Sequence, residues 1–232
     1  MKPFILFSLA LYGLGFAANL ACLAGGGRAL RRLPGLSAGL LTLGLAGHTA
    51  ALVVRIHATG HAPMASMYET LVFYSWCVAA VSLVVVWRYG ERTTEVFTMS
   101  MAMLALVFAL ANEKPGGPLT LVLRTVWFEI HVTSSFAAYA FFTLAFSGAA
   151  LYLITGARGG DQGNMRKYQD IAARGVLWGF FLFSASMFAG AVWGYLAWGA
   201  YWLWEPKVIW SFIVWFYYAG AMHAWYVSSW RG

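Results

Sequence analysis

Residues 69–87 read Glu69-Thr-Leu-Val-Phe-Tyr-Ser-Trp-Cys-Val-Ala-Ala-Val-Ser-Leu-Val-Val-Val-Trp87, close to the ~20 apolar residues that carry a helix across a hydrocarbon core. The run lacks the two-residue alternation of a barrel strand. In lipid every backbone polar group needs an internal partner, so helices or a closed barrel are the only choices, and this pattern selects helices. Working outward, similar runs occupy residues 4–24, 35–57, 96–111, 131–155, 175–197 and 208–228. The whole chain is 61% hydrophobic and 10% charged, against roughly 25% charged in ordinary soluble domains. The expected fold is all-α, a polytopic transmembrane bundle of about seven spans in a single membrane domain over 1–232. The first run is read as a span, because Lys2 makes a weak n-region and no clean cleavage site follows.

Fifteen basic residues punctuate the runs. Arg28, Arg31, Arg32, Arg88, Arg92, Arg158, Arg166, Lys167, Arg174 and Arg231 fall on one side of such a bundle, and Lys2, Arg55, Lys114, Arg124 and Lys207 on the other. Cytoplasmic loops carry the excess of Lys and Arg. The count predicts an N-terminus outside, a cytoplasmic C-terminus, and outer segments at 58–68, 112–130 and 198–207. Only the connections 156–174 and 112–130 are long enough to be linkers, and neither is low in complexity, so one membrane domain is expected. The basic residues are scattered beside spans and form no patch on a polar domain, which argues against a nucleic-acid partner. Cys22 and Cys77 lie within apolar runs and form no CxxC, so thiol redox chemistry is not expected.

The outer segment at about 193–215 holds six of the twelve Trp in the chain: Trp193, Trp198, Trp202, Trp204, Trp210 and Trp215. An interfacial belt places one or two Trp at a helix end. A run of indoles through the connection itself suits a flat aromatic ligand better. Gly194 and Gly199 thin the backbone beside the rings, and Pro206 starts or breaks a helix. Imidazoles accompany the strip. His48 lies within the second run, His57 and His61 flank its outer end, His131 opens the fifth, and His223 lies in the inner half of the seventh. A histidine in hydrocarbon either marks a functional site or hydrogen-bonds a neighbouring helix. Neutral imidazole is a common axial ligand of haem iron. Arg55 pairs with an anionic ligand group or snorkels to the interface. Glu69 is placed to cap its helix, and Glu205 either caps the last helix or pairs with Lys207.

Trp198-Gly-Ala-Tyr-Trp202-Leu-Trp204-Glu205-Pro206-Lys207 resembles the tryptophan-rich WWD signature of haem-handling proteins in cytochrome c maturation, most closely the CcsA (ResC) branch. Gly60-His61-Ala-Pro63 with Tyr68-Glu69, Trp127-Phe-Glu-Ile-His131-Val132 and Met222-His223-Ala224 are similar to further segments of that branch, in the same order. The resemblance spans about residues 48–226. It implies a multi-pass plasma (inner) membrane protein that presents haem b at its periplasmic or extracytoplasmic face. A CcsB (ResB)-type partner and an apocytochrome c with CxxCH complete the machinery. Such a protein is part of a holocytochrome c synthase (haem lyase) or a template for one. By the resemblance, His131 is an outer axial ligand and His223 a ligand within the membrane, with Trp198, Trp202 and Trp204 as the platform and Trp193 beside them. His48, Arg55 and Glu205 complete the cofactor-binding set. Family members usually carry Asp where Glu205 stands, and a further span and outer His beyond His223. Here the second outer ligand is His61, a residue of a partner, or none, and His61 is the expected one. Two other readings stand beside this one: a shortened HemX-like protein affecting haem synthesis or its regulation, and a solute transporter.

Overall fold

The computed structural model describes residues 1–25, 33–113 and 115–227. Arg28, Arg31, Arg32, Lys114 and Arg231 of the charge count lie outside the described residues. Among the described residues there are seven α-helices and no strand: α1 Lys2–Ala24, α2 Leu33–Thr59, α3 Met67–Tyr89, α4 Glu95–Ala111, α5 Val126–Ala157, α6 Gln162–Trp198 and α7 Pro206–Tyr226. A 3-10 turn, Leu121–Leu123, precedes α5. Five of these helices, α1, α2, α3, α5 and α6, are long and apolar enough to cross a membrane. α4 is apolar but has only 17 residues, and the many Trp and Tyr of α7 lower its hydropathy. The chain is a helical multi-pass membrane protein.

Two expected boundaries shift, for local chemical reasons. The 156–174 connection is mostly helix. Asp161 accepts a hydrogen bond from Asn164 N–H at 3.0 Å and caps α6, so the charged stretch 162–174 winds on as its first turns and only a short turn remains. At the other boundary Thr125 caps α5 by accepting from Phe128 N–H at 3.1 Å. His131 therefore lies in the second turn of that helix rather than at its start.

The chain divides into two compact units, Met1–Pro118 and Leu119–Gly232. In the first, α1 and α2 pack through small residues. A Cβ at Gly44 would meet the Tyr12 ring at 2.7 Å, and one at Gly47 would meet Ser8 Oγ at 2.9 Å. Hydroxyls bind neighbouring helices: Ser37 Oγ donates to the Gly15 carbonyl at 2.9 Å, Ser75 Oγ to Ala102 at 2.8 Å, and Ser82 and Thr98 share a bond at 2.8 Å. Lys2 Nζ meets Glu113 at 2.6 Å, so the start of α1 and the end of α4 share one face. Asn19 Nδ2 donates to the Arg92 carbonyl at 3.0 Å at the opposite face.

In the second unit α5 and α6 touch backbone to backbone. A Cβ at Gly148 would sit 2.8 Å from Ala172 N and Tyr168 O, and one at Gly175 would sit 2.8 Å from Ala145 N and Phe141 O. One turn on, Gly179 lies under the Phe142 ring. Without a hydrophobic force between helices in lipid, such close approach supplies much of the association energy. α7 joins through Tyr218, stacked on Phe142 at 3.7 Å, and through Trp215, whose Nε1 donates to Ser184 Oγ at 2.8 Å. Replacing Gly148 by Val should cost more than the ~1–3 kcal/mol of ordinary overpacking, because backbone cannot retreat. Thermal unfolding in detergent measures this, with Gly220→Val as the control, since nothing lies within 4 Å of that position. Equal melting of the two variants would contradict the contact.

Candidate functional site

The second unit gathers half of the expected residues into one groove at the end where α5 begins, α6 ends and α7 begins. His131, Trp193, Trp198, Trp202 and Glu205 all line it, with Gly194, Tyr201 and Lys207. The turn that builds it depends on Gly199. At φ +75° it ends α6 in the left-handed conformation, its N–H returning to the Tyr195 carbonyl at 2.8 Å. That conformation costs a residue with a side chain roughly 1–2 kcal/mol. The chain then folds back across Gly194, where a Cβ would lie 3.2 Å from the Ala200 carbonyl oxygen.

The indoles fall into two aromatic groups, one around Trp193 and one around Phe212. Trp193 stacks near the His131 ring at 6.1 Å and 19°, meets Phe128 at 5.1 Å, and contacts Trp198 edge-on at 4.8 Å. Its Nε1 donates to the Val122 carbonyl at 2.9 Å, which fixes the ring. Trp202 and Trp204 lean on Phe212, at 4.9 and 5.8 Å. Trp204 does not line the groove and stands 74% exposed, and Trp198 is half-exposed. Glu205 occupies the cap position of α7 without capping it through its side chain. Instead it pairs with Lys207 at 2.9 Å, an exposed contact.

The imidazoles differ in what their nitrogens have left to give. His131 Nδ1 lies 2.8 Å from the Ser186 carbonyl. A carbonyl only accepts, so Nδ1 carries the proton and Nε2 of the neutral ring keeps its lone pair. His223, exposed on α7, does the same with the Ala219 carbonyl at 2.8 Å and likewise leaves Nε2 open. It lies outside the groove. In the first unit, His61 faces a carbonyl with each nitrogen, Ala62 at 2.7 Å and Gly117 at 2.9 Å. Its Nε2 must leave Gly117 before it can bind iron. His48 is fully buried, with Nδ1 3.3 Å from the Tyr12 hydroxyl. Its Nε2 has no hydrogen-bond partner among the described residues, and no ligand reaches it without rearrangement. His57 is exposed near the end of α2.

Arg55 meets Glu69, Nε to Oε1 at 2.7 Å, and lies over the Tyr68 ring at 5.7 Å. Glu69 also accepts from Ala65 N–H at 2.8 Å, while its own N–H reaches Ser66 Oγ at 3.3 Å. This is a capping arrangement at the start of α3. Sequence reasoning passed over Ser135, Ser186, Gly190 and Phe212. Ser186 and Gly190 lie one helical turn apart on α6, but nothing in the sequence ties them to His131.

The residues 64–232 match the model of the cytochrome c assembly protein family. The chain belongs to that family. Its relatives include cytochrome c biogenesis proteins CcsA. That of Gloeobacter violaceus is 27% identical over 98% of this chain and 86% of the relative. The Chlamydomonas reinhardtii protein is 28% identical over 78% of this chain and 55% of its own length. The Parasynechococcus marenigrum protein is 29% identical over 79% and 72%. The chain thus spans about half of the algal relative and most of the other two. The expected CcsA-type membership holds, and the aromatic groove falls within the matched region.

The Arg55–Glu69 contact generates a test. The two side chains are 11% and 1% exposed, and removing one partner of a buried pair costs roughly 3–5 kcal/mol. Arg55→Met should lower thermal stability sharply, and the double variant Arg55→Met with Glu69→Gln should recover most of the loss. A wild-type melting curve for Arg55→Met alone would show that the pair does not hold the turn between α2 and α3.

Proposed function

We propose that this chain is the haem-handling subunit of a cytochrome c maturation system. It holds haem b at the outer membrane face while the cysteines of an apocytochrome CxxCH segment form thioether bonds. Family membership supports the role in cytochrome c assembly, and the observation that carries the haem reading is His131. Its Nε2 lone pair is uncommitted beside Trp193, in a groove lined by Trp198 and Trp202. An unprotonated imidazole beside apolar rings matches the chemistry of a haem ligand site.

The chain's own residues bind and orient. His131 would supply the nitrogen that holds the iron, and the indoles of Trp193, Trp198 and Trp202 would hold the apolar ring. The exposed Lys207, its charge shared with Glu205, stands at the groove edge where an anionic side group is favoured. Haem supplies the vinyl groups to which the thiols add. Holding them in one orientation at the membrane surface is a positioning effect. His223, with its open Nε2, would hold haem within the membrane, and His61, in the first unit, would offer a further imidazole once released from Gly117. His48 contributes to the cofactor set only by shaping the first unit. A CcsB (ResB)-type membrane protein is the partner. The orientation given by the basic residues puts the groove on the extracytoplasmic side of the plasma or inner membrane.

Protein purified in detergent from haem-replete cells should show a Soret band, with sharp α and β bands on reduction. His131→Gly and His223→Gly should each lose at least half of the bound haem, and added imidazole should restore it. A colourless wild-type protein would favour a HemX-like role in haem synthesis or its regulation. Unchanged spectra in both variants would overturn the ligand assignment.

A further inference from the structure

We infer that Ser186 and Gly190 are positioning residues: one turn of α6 forms a slot that holds the His131 ring with Nε2 as its free, lone-pair nitrogen. The functional meaning rests on the haem-binding role proposed for His131, but the slot stands on its own geometry. In an α-helix the carbonyl of residue 186 faces the N–H of residue 190. A second donor reaches that carbonyl only where residue 190 leaves room. His131 Nδ1 does reach it, at 2.8 Å. A Cβ at Gly190 would lie 2.6 Å from Nδ1 and 2.9 Å from Cε1, inside contact distance. Trp193, from the next turn, faces the ring at a centroid distance of 6.1 Å.

The backbone of His131 is tied to the same turn. Ser135 Oγ and Ser186 Oγ reach the His131 carbonyl oxygen at 2.8 and 3.1 Å. The two hydroxyls also touch each other, and Ser186 Oγ stands 3.1 Å from Nδ1. Main chain and ring are thus both referenced to residues 186–190. A carbonyl accepting the Nδ1 proton sets the tautomer and raises the basicity of Nε2, as such partners do for metal-ligating histidines generally. Glycine at position 190 is what admits the ring.

Nitrogen-15 NMR of the histidine-labelled full chain in detergent, without haem, tests the slot directly. The wild type should show His131 as the single Nδ1–H tautomer, and Gly190→Ala should convert it to a mixture. An Nε2–H tautomer in the wild type, or an unchanged tautomer in the variant, would overturn the inference. Haem retention supplies the second arm. Gly190→Ala should reduce retained haem several-fold when His131 is present. It should have no effect in His131→Gly protein supplied with free imidazole, which needs no slot. An equal loss in both backgrounds would mean that Gly190 serves the fold alone, and would overturn the positioning role. A fixed wild-type tautomer that Gly190→Ala releases, in a protein that never binds haem, would uphold the slot while removing the proposed function.

Discussion

The backbone contact between α5 and α6 is the constraint on which the second unit depends. Gly148, Gly175 and Gly179 let the two helices lie closer than side chains allow, and in lipid such contact substitutes for the missing hydrophobic drive. Its effect reaches the groove. His131 is on one helix, and Ser186, Gly190 and Trp193 are on the other. Loss of close packing near the middle of the pair would change the distance between imidazole and indole at the end. α7 adds the last wall through stacking of Tyr218 on Phe142 rather than through small residues.

A low dielectric makes every unpaired polar group costly, and the histidines show how the chain handles that cost. His61 faces a carbonyl oxygen with each nitrogen, and its one N–H donates to one of them. His48 is enclosed with Tyr12. His131 and His223 each give one nitrogen to a carbonyl and keep the other accessible. The same residue type therefore serves two purposes, separable by what lies within hydrogen-bond reach. Arg55 follows the same logic: its charge is neutralised locally by Glu69, and the pair fixes the turn between α2 and α3.

Apolar run length made the seven helices readable within a few residues, because the bilayer imposes a length that sequence must meet. The exception was α6. Hydropathy marks where lipid ends, whereas a helix ends where its hydrogen bonds are capped, and Asp161 does this well before the apolar run begins. The tryptophan cluster announced the groove, since so many indoles in one connection have few other uses. Gly194 and Gly199 were legible for the same reason, as breaks among bulky rings. The partners of His131 were not legible. Ser186 and Gly190 are ordinary small residues in an apolar helix, and their importance comes from a neighbour 55 residues away in the chain. Pairing of Arg55 with Glu69 was missed because each residue had a sufficient local explanation on its own.

The length of α6 has a mechanical side. Its 37 residues make a rod about 55 Å long, against a hydrocarbon thickness of about 30 Å. The surplus begins with the turns bearing Arg166, Lys167 and Arg174, and no break in hydrogen bonding separates them from Trp193 and Trp198. The charged tip and the indole end are thus joined by one continuous helix that α5 holds near its middle.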